Sequence, residues 1–263
     1  MLLAVKKDKG KHVLAIIGGT GLSKLDGFKS RGREQCSTRF SAEPVVIELC
    51  EFDGVTVAFL PRHGKAQAVP PHKINYRANI RALKQLGVTD IAAVNAVGGI
   101  HKNLGPGAFA VPEQIIDYTA NRQSTFFEED IATVTHIDFT YPYAECIRQQ
   151  ILNSVAAVNA VIERPRACLD GGVYGCTSGP RLETAAEIIR CTRDGCDMVG
   201  MTGMPEAALA KEAGIEYGSL AFSVNWAAGL STELITLDEI HTVFEAGMEF
   251  VTAVLQGIAS AYH

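Results

Sequence analysis

An arginine and a histidine stand side by side as Arg62 and His63, in LPRHGKAQAVPPH, directly after an apolar run and directly before a glycine. A planar guanidinium grips an oxyanion through paired N–H donors, and an imidazole beside it adds a ring nitrogen. The pair suits one small anion. Two other stretches offer donors of the same kind. IIGGTGL, residues 16–22, is a glycine-rich turn after an apolar run, where backbone N–H groups can approach a charge and Thr20 adds a hydroxyl. It has neither the G-x-G-x-x-G spacing of a dinucleotide loop nor the lysine of a P-loop. VNAVGG, residues 94–99, ends an apolar run on an asparagine and two glycines. Bare backbone of this kind is expected to leave space for a ligand.

These three stretches need a frame that brings them together. The chain has 263 residues, 47% hydrophobic and 20% charged, enough for one sizeable buried core. A net charge of -5 excludes a broad phosphate-backbone binder, while a local Arg/His cluster still suits one anion. The N-terminal order of residues is not that of a signal peptide, and no run approaches the roughly 20 apolar residues of a membrane span. Seven cysteines, an odd number at no metal-like spacing, predict reduced thiols that mostly fill core, and a cytoplasmic location. No metal site is expected.

Short apolar runs alternate with amphipathic ones, the pattern of strands and helices taken in turn. HVLAIIGG reads as a strand, VVIELCEFDGVTVAFLPR as a hairpin turning at Asp53-Gly54, and residues 75–87 as a helix ending at Gly87. DIAAVNAVGG carries too little polarity to face water and must be a central strand. Helices follow near 144–159, 183–194, 205–213 and 238–260, with strands near 168–175, 197–201 and 216–224. The last helix carries Ile240, Val243, Phe244, Val251, Val254, Leu255 and Ile258 as one stripe. The prediction is a single α/β domain, a central mixed sheet flanked by helices, over residues 13–263 after an N-terminal extension of residues 1–12. In such sheets ligands bind beyond the carboxyl ends of strands, where the three stretches fall.

In order along the chain, IIGGTGL, PRHG, HKINYRANI, VNAVGG, TSGPRLETAAE, DMVGMTGMPEAALAKEAGI and SVNWA resemble the trimeric purine nucleoside phosphorylase and methylthioadenosine phosphorylase family. The resemblance runs from about residue 13 to the final helix. It implies the nucleoside phosphorylase fold and phosphorolysis of a purine nucleoside, with inorganic phosphate as co-substrate and no metal or organic cofactor. Thr20, Arg62, His63, Ala96 and Thr202 are implied as phosphate contacts, with Asn95 beside them. Met201 would lie under the ribose, and Leu182, Glu183, Asn225, Trp226 and Ala227 would form the purine side. Asn225, Arg62 and His63 carry the implied catalytic roles. His136 would serve the 5′ pocket of a neighbouring subunit in a homotrimer. No nucleic-acid or membrane partner is implied, and no nucleophilic serine or cysteine is required.

Two patterns within the resemblance bear on the substrate. A 6-oxopurine presents an N1–H donor and an O6 acceptor, whereas adenine presents an N1 acceptor and an amino donor. Glu183 and Asn225 match the family's 6-oxopurine pattern, and Ala227 stands where adenine-cleaving members carry a second aspartate. Asparagine can donate to O6 and accept at N7; a carboxylate cannot donate. At the 5′ end, Ile240 stands where inosine-cleaving members have a histidine for the hydroxyl, and Leu237 where methylthio-specific members have valine. The two patterns together predict S-methyl-5′-thioinosine as substrate. Methylthioadenosine cleavage, general inosine/guanosine phosphorolysis and a silent nucleoside-binding protein are the alternatives.

Overall fold

The structure is a computed structural model that describes residues 12–19, 21–64, 66–128, 133–232 and 235–263, with only the backbone of Leu237. The expected extension, apart from His12, and Thr20 lie outside the described residues. In chain order the elements are β1 (Leu14–Gly18), β2 (Lys29–Cys36), β3 (Val45–Phe52), β4 (Val55–Pro61), α1 (Tyr76–Gln85), β5 (Asp90–Gly99), β6 (Phe109–Val111), β7 (Gln114–Asp117), α2 (Glu145–Asn159), β8 (Cys168–Asp170), β9 (Val173–Cys176), α3 (Ala185–Arg193), β10 (Met198–Gly200), α4 (Glu206–Glu212), β11 (Glu216–Trp226) and α5 (Leu237–Ser260). They form one mixed sheet in the order β2-β3-β4-β1-β5-β10-β9-β7, with β11 paired to β5 and β6, and β8 paired to β6.

The sheet is organised around β5, whose side chains are buried along nearly its whole length. One edge of β5 pairs in parallel with β11 from Asp90 to Gly99. Its other edge is shared. β1 pairs in parallel only as far as Ala93, and β10 pairs antiparallel only at Gly98 and Gly99. Between Val94 and Val97 that edge therefore has no strand beside it, so the sheet splits there. This is the kind of switch point where α/β sheets form ligand crevices.

Two apolar layers cover the sheet. On one face Ile80 and Leu83 of α1 and Leu209 of α4 pack on Tyr174 and Tyr217. On the other, Ile147 and Ile151 of α2 join the α5 stripe, including Phe244, Val251, Val254, Leu255 and Ile258, around Phe59, Phe109 and Phe222. Phe109 and Phe222 stack with ring centroids 4.5 Å apart, and Phe250 lies 4.7 Å from Phe109. Thr184 and Thr236 each open a helix with a capping box, which fixes the starts of α3 and α5. No helix among the described residues is long and apolar enough to cross a membrane.

The predicted single α/β domain is present, and its helices and main strands lie within a few residues of their expected ends. Four differences have local causes. β2 is an edge strand of mostly exposed, charged residues, so it carries no apolar alternation to reveal it. β6 and β7 are only three and four residues long. The strand expected near 168–175 is two strands, β8 and β9, which join different neighbours on either side of Gly171-Gly172.

Candidate active site

The crevice at the split edge of β5 opens into a cavity lined by strand ends and the loops beyond them. Arg62 and His63 enter from the end of β4, Gly19 from the end of β1, and Ala96, Val97 and Gly98 from β5. Met201 and Thr202 follow β10, Leu182 and Glu183 precede α3, and Val224, Asn225 and Ala227 come from the end of β11. Ile235 and Ile240 close it from the α5 side. Ten of the residues expected from sequence thus share one cavity: Arg62, His63, Ala96, Leu182, Glu183, Met201, Thr202, Asn225, Ala227 and Ile240.

Arg62 is not a free cation. Its Nε and Nη2 donate to the two oxygens of Glu206 at 2.7 Å each, and its Nη1 donates to the Val94 carbonyl at 3.0 Å, on the stretch of β5 between the ends of its pairing with β1 and β10. Both side chains are buried, at 0% and 1% exposure. Burial disfavours the guanidinium charge, but the charge and hydrogen bonds of Glu206 outweigh it and push the Arg62 pKa upward. Glu206 also accepts from the Tyr217 hydroxyl at 2.8 Å. A guanidinium has five N–H groups, so two remain without a protein partner, one on each terminal nitrogen. The side chain is held in place with its charge already paired.

His63 donates from Nδ1 to the Val69 carbonyl at 2.8 Å, so the neutral ring presents the Nε2 lone pair. Burial, and then the charge of Arg62, lower its pKa below the usual 6.5 against the opposing Val69 hydrogen bond. Neutral His63 can therefore accept a hydrogen bond at Nε2. Thr202 is oriented by a relay: the Ser219 hydroxyl donates to Asn95 Oδ1 at 2.6 Å, and Asn95 Nδ2 donates to Thr202 Oγ1 at 2.7 Å. With its oxygen accepting from Asn95, Thr202 has its O–H free to donate. Asn95 itself is 1% exposed and does not line the cavity.

The glycines of VNAVGG border the cavity at Gly98 and also let protein segments pack closely. A Cβ on Gly99 would collide with the Leu104 carbonyl, and one on Gly98 would lie 3.2 Å from the Ala227 Cα and 3.3 Å from Asn225 Nδ2. The backbone is bare mainly so that other protein segments can pack against it. Gly19 plays the same part at the next strand end, where a Cβ would lie 2.5 Å from the Val94 carbonyl and 3.3 Å from Arg62 Nη1.

Asn225 owes its position to a break in register. Ser223 faces Val97 of β5 but Asn225 faces Gly98, so Val224 is an extra residue in β11. Strict alternation would point Val224 and Asn225 to opposite faces, whereas here both line the cavity. One Asn225 N–H donates to the Trp226 carbonyl at 2.6 Å, leaving its other N–H and its carbonyl oxygen for a ligand. Ala227 packs with Ile188 and Val199 in a small apolar cluster.

Other expected residues fall elsewhere. Trp226 does not line this cavity; it faces an adjoining one with Pro106, Ser231 and Glu239, its ring against Gly105. His136 is exposed and away from the cavity of its own chain. Thr20 and the side chain of Leu237 lie outside the described residues. Sequence reading missed Glu206, Val224 and Ile235. A glutamate directly after Pro205 in an otherwise apolar helix start was the available signal for Glu206; Val224 and Ile235 gave none beyond being aliphatic beside chosen residues. No group of three His, Cys, Asp or Glu poised to hold a metal occurs among the described residues.

Comparison with known proteins adds a family match. Residues 13–260 match the model of the Phosphorylase superfamily. A probable S-methyl-5′-thioinosine phosphorylase of Pseudomonas syringae pv. tomato is 52% identical, over 95% of this chain and 99% of its own length. A probable 6-oxopurine nucleoside phosphorylase of Moorella thermoacetica is 39% identical, over 88% and 86%. Among solved structures, methylthioadenosine phosphorylase from Schistosoma mansoni in complex with adenine superposes with a TM-score of 0.88 at 31% identity, covering 95% of this chain and 92% of that one.

Two measurements check this geometry. Glu206→Gln leaves the buried guanidinium without its counter-charge, so chemical denaturation should show a loss of about 3–5 kcal/mol, and any folded fraction should have a higher KM for inorganic phosphate. Unchanged stability would mean that the pair is not buried as described. His63 is neutral in the fold, so it favours folding fully above the unfolded value near 6.5, and that contribution falls as pH drops through 6.5 toward the lower folded value. An NMR titration should place the His63 imidazole below 6.5; a value above it would contradict the burial.

Proposed function

The chain belongs to the Phosphorylase superfamily, and we infer from its cavity that it is an enzyme catalysing phosphorolysis of S-methyl-5′-thioinosine to hypoxanthine and 5-methylthioribose 1-phosphate. One observation carries this reading. Glu183, Asn225 and the aliphatic pair Ile235 and Ile240 line the same cavity as Arg62, His63 and Thr202. A 6-oxopurine code, an apolar sugar end and an anion site thus meet in one space.

We assign phosphate to the two remaining N–H groups of Arg62, the oriented hydroxyl of Thr202 and the Nε2 of His63, which accepts a hydrogen bond from hydrogen phosphate. As the C1′–N9 bond lengthens, the sugar gains oxocarbenium character, and a phosphate held close beside it offsets that charge. A phosphate oxygen then bonds to C1′, the C1′–N9 electron pair leaves with the purine, and the proton brought by hydrogen phosphate ends on the base. Asn225 serves the departing base with its free N–H toward O6 and its carbonyl oxygen toward a protonated N7. Glu183 accepts from N1–H. Catalysis is positioning and electrostatics, in which inorganic phosphate is a co-substrate and no metal or organic cofactor takes part.

From its own chain a hydroxyl at the 5′ position would meet Ile235 and Ile240, neither of which can hydrogen-bond it, at a cost of about 1–3 kcal/mol, whereas a methylthio group would bury apolar surface there. His136, exposed on its own chain, is assigned to a neighbour's 5′ pocket in a homotrimer. The unpaired cysteines support a cytoplasmic enzyme.

The base code can be inverted without disturbing the Ile188–Val199 cluster by leaving Ala227 in place. Glu183→Ser combined with Asn225→Asp removes the acceptor for N1–H and the donor for O6. The ratio of kcat/KM for methylthioinosine over methylthioadenosine should fall by about tenfold to a hundredfold for each mismatched hydrogen bond. A ratio unmoved by the double change would remove these two residues from base recognition.

A further inference from the structure

We propose that Thr177 is a positioning residue for base selectivity, holding the Glu183 carboxylate toward the purine; this rests on the reading of Glu183 as the acceptor for N1–H. Thr177 does not line the proposed nucleoside cavity. It stands one residue beyond the end of β9, where its backbone N–H donates to the Gly200 carbonyl at 2.8 Å and ties that strand end to β10. Its hydroxyl lies 2.5 Å from Glu183 Oε1 and 3.5 Å from the Gly200 carbonyl. A threonine has one O–H, and the shorter distance is that of a charge-assisted bond to a carboxylate. The donor is therefore fixed by two strands, while its acceptor sits on the loop before α3.

What that bond prevents is visible on the other side of Glu183. The carboxylate also borders a second cavity, lined by Tyr118, Arg181 and Arg190 as well as by Thr177 itself. Two guanidinium groups on that side would attract it away from the base. Arg181 is engaged elsewhere, donating to both oxygens of Glu187 at 2.8 Å, while Glu187 closes the capping box of α3 with Thr184. Among the described residues, the Thr177 hydroxyl is the only side-chain donor hydrogen-bonded to Glu183. Without it, a partly exposed glutamate on a loop is free to turn toward the arginines. The N1–H of a 6-oxopurine would then lose its acceptor, and adenine, whose N1 is itself an acceptor, would lose a repulsive partner. Thr177 thus acts on the choice between bases more than on phosphate.

The test is Thr177→Val, which keeps the shape and removes the hydroxyl, set beside Thr177→Ser, which keeps the hydroxyl, each alone and with Glu183→Ala. Thr177→Val should lower kcat/KM for methylthioinosine by about tenfold and lower the methylthioinosine-to-methylthioadenosine ratio with it, while KM for phosphate stays unchanged. Thr177→Ser should restore both to within about twofold of the parent. In the Glu183→Ala background, Thr177→Val should add no further loss, because its effect passes through Glu183. Should Thr177→Val fail to fold, Thr177→Ala carries the same comparison. The proposal is overturned if removing the hydroxyl leaves the ratio unmoved, or if the loss is equally large without Glu183. If Glu183→Ala itself leaves the ratio unmoved, the base-recognition reading falls as well, a result distinct from a Thr177 effect that is absent while a Glu183 effect is present.

Discussion

A buried guanidinium–carboxylate pair holds the working end of this molecule together. Arg62 comes from the end of β4 and Glu206 from the first position of α4, 144 residues later. The same cluster takes in Tyr217 of β11 and the Val94 carbonyl of β5. Four elements are thereby fixed to one planar group. Two charges taken out of water stabilise little on their own, since desolvation offsets most of their attraction. Their value lies in geometry, because three of the five N–H groups of Arg62 are committed to the protein and the side chain cannot turn freely. In the proposed function, the anion site takes its precision from that restriction.

The pair works only because the sheet leaves room for it. β1 stops pairing with β5 at Ala93 and β10 begins at Gly98, so the Val94 carbonyl lacks a strand partner and accepts from Arg62. Around this gap, glycines let neighbouring segments close in, and the extra residue Val224 turns Asn225 into the cavity. Neutral and charged donors follow the same logic on each side. Ser219, Asn95 and Thr202 form a one-way chain of hydrogen bonds, and Thr177 gives Glu183 a single fixed donor. Buried polar groups of this kind are costly unless every partner is present, and here each partner also sets a direction.

Much of the fold was legible because its signals are local. Strand and helix periods, the Asp53-Gly54 turn and the stripe of α5 all lie within short windows, and the structure repeats them. Arg62 and His63 were legible as residues of a ligand crevice from their place after a strand, and both line the cavity. Glu206 was not, because its partner is distant in sequence and an acid at a helix start has an ordinary explanation in the helix dipole. The neighbours of the VNAVGG glycines were hidden for a similar reason: a sequence shows that a side chain is missing but not which atom occupies the space, here the Leu104 carbonyl beside Gly99. Trp226 was expected beside the base, but the register shift that brings Asn225 inward leaves Trp226 facing the next cavity. β2 escaped detection because an exposed edge strand is kept polar.

Glu183, Asn225, Ile235 and Ile240 line one cavity, and in the proposed function the first two select a 6-oxopurine and the last two a sugar with no 5′-hydroxyl. Either pair alone would fit a different relative. The most direct test is the kcat/KM of the unaltered enzyme, at saturating inorganic phosphate, for methylthioinosine, methylthioadenosine and inosine. The predicted result is a preference for methylthioinosine over each of the others by at least about tenfold, the scale of one mismatched group in a buried pocket. Methylthioadenosine cleaved as fast as methylthioinosine would contradict the base code, and inosine cleaved as fast would contradict the apolar sugar end.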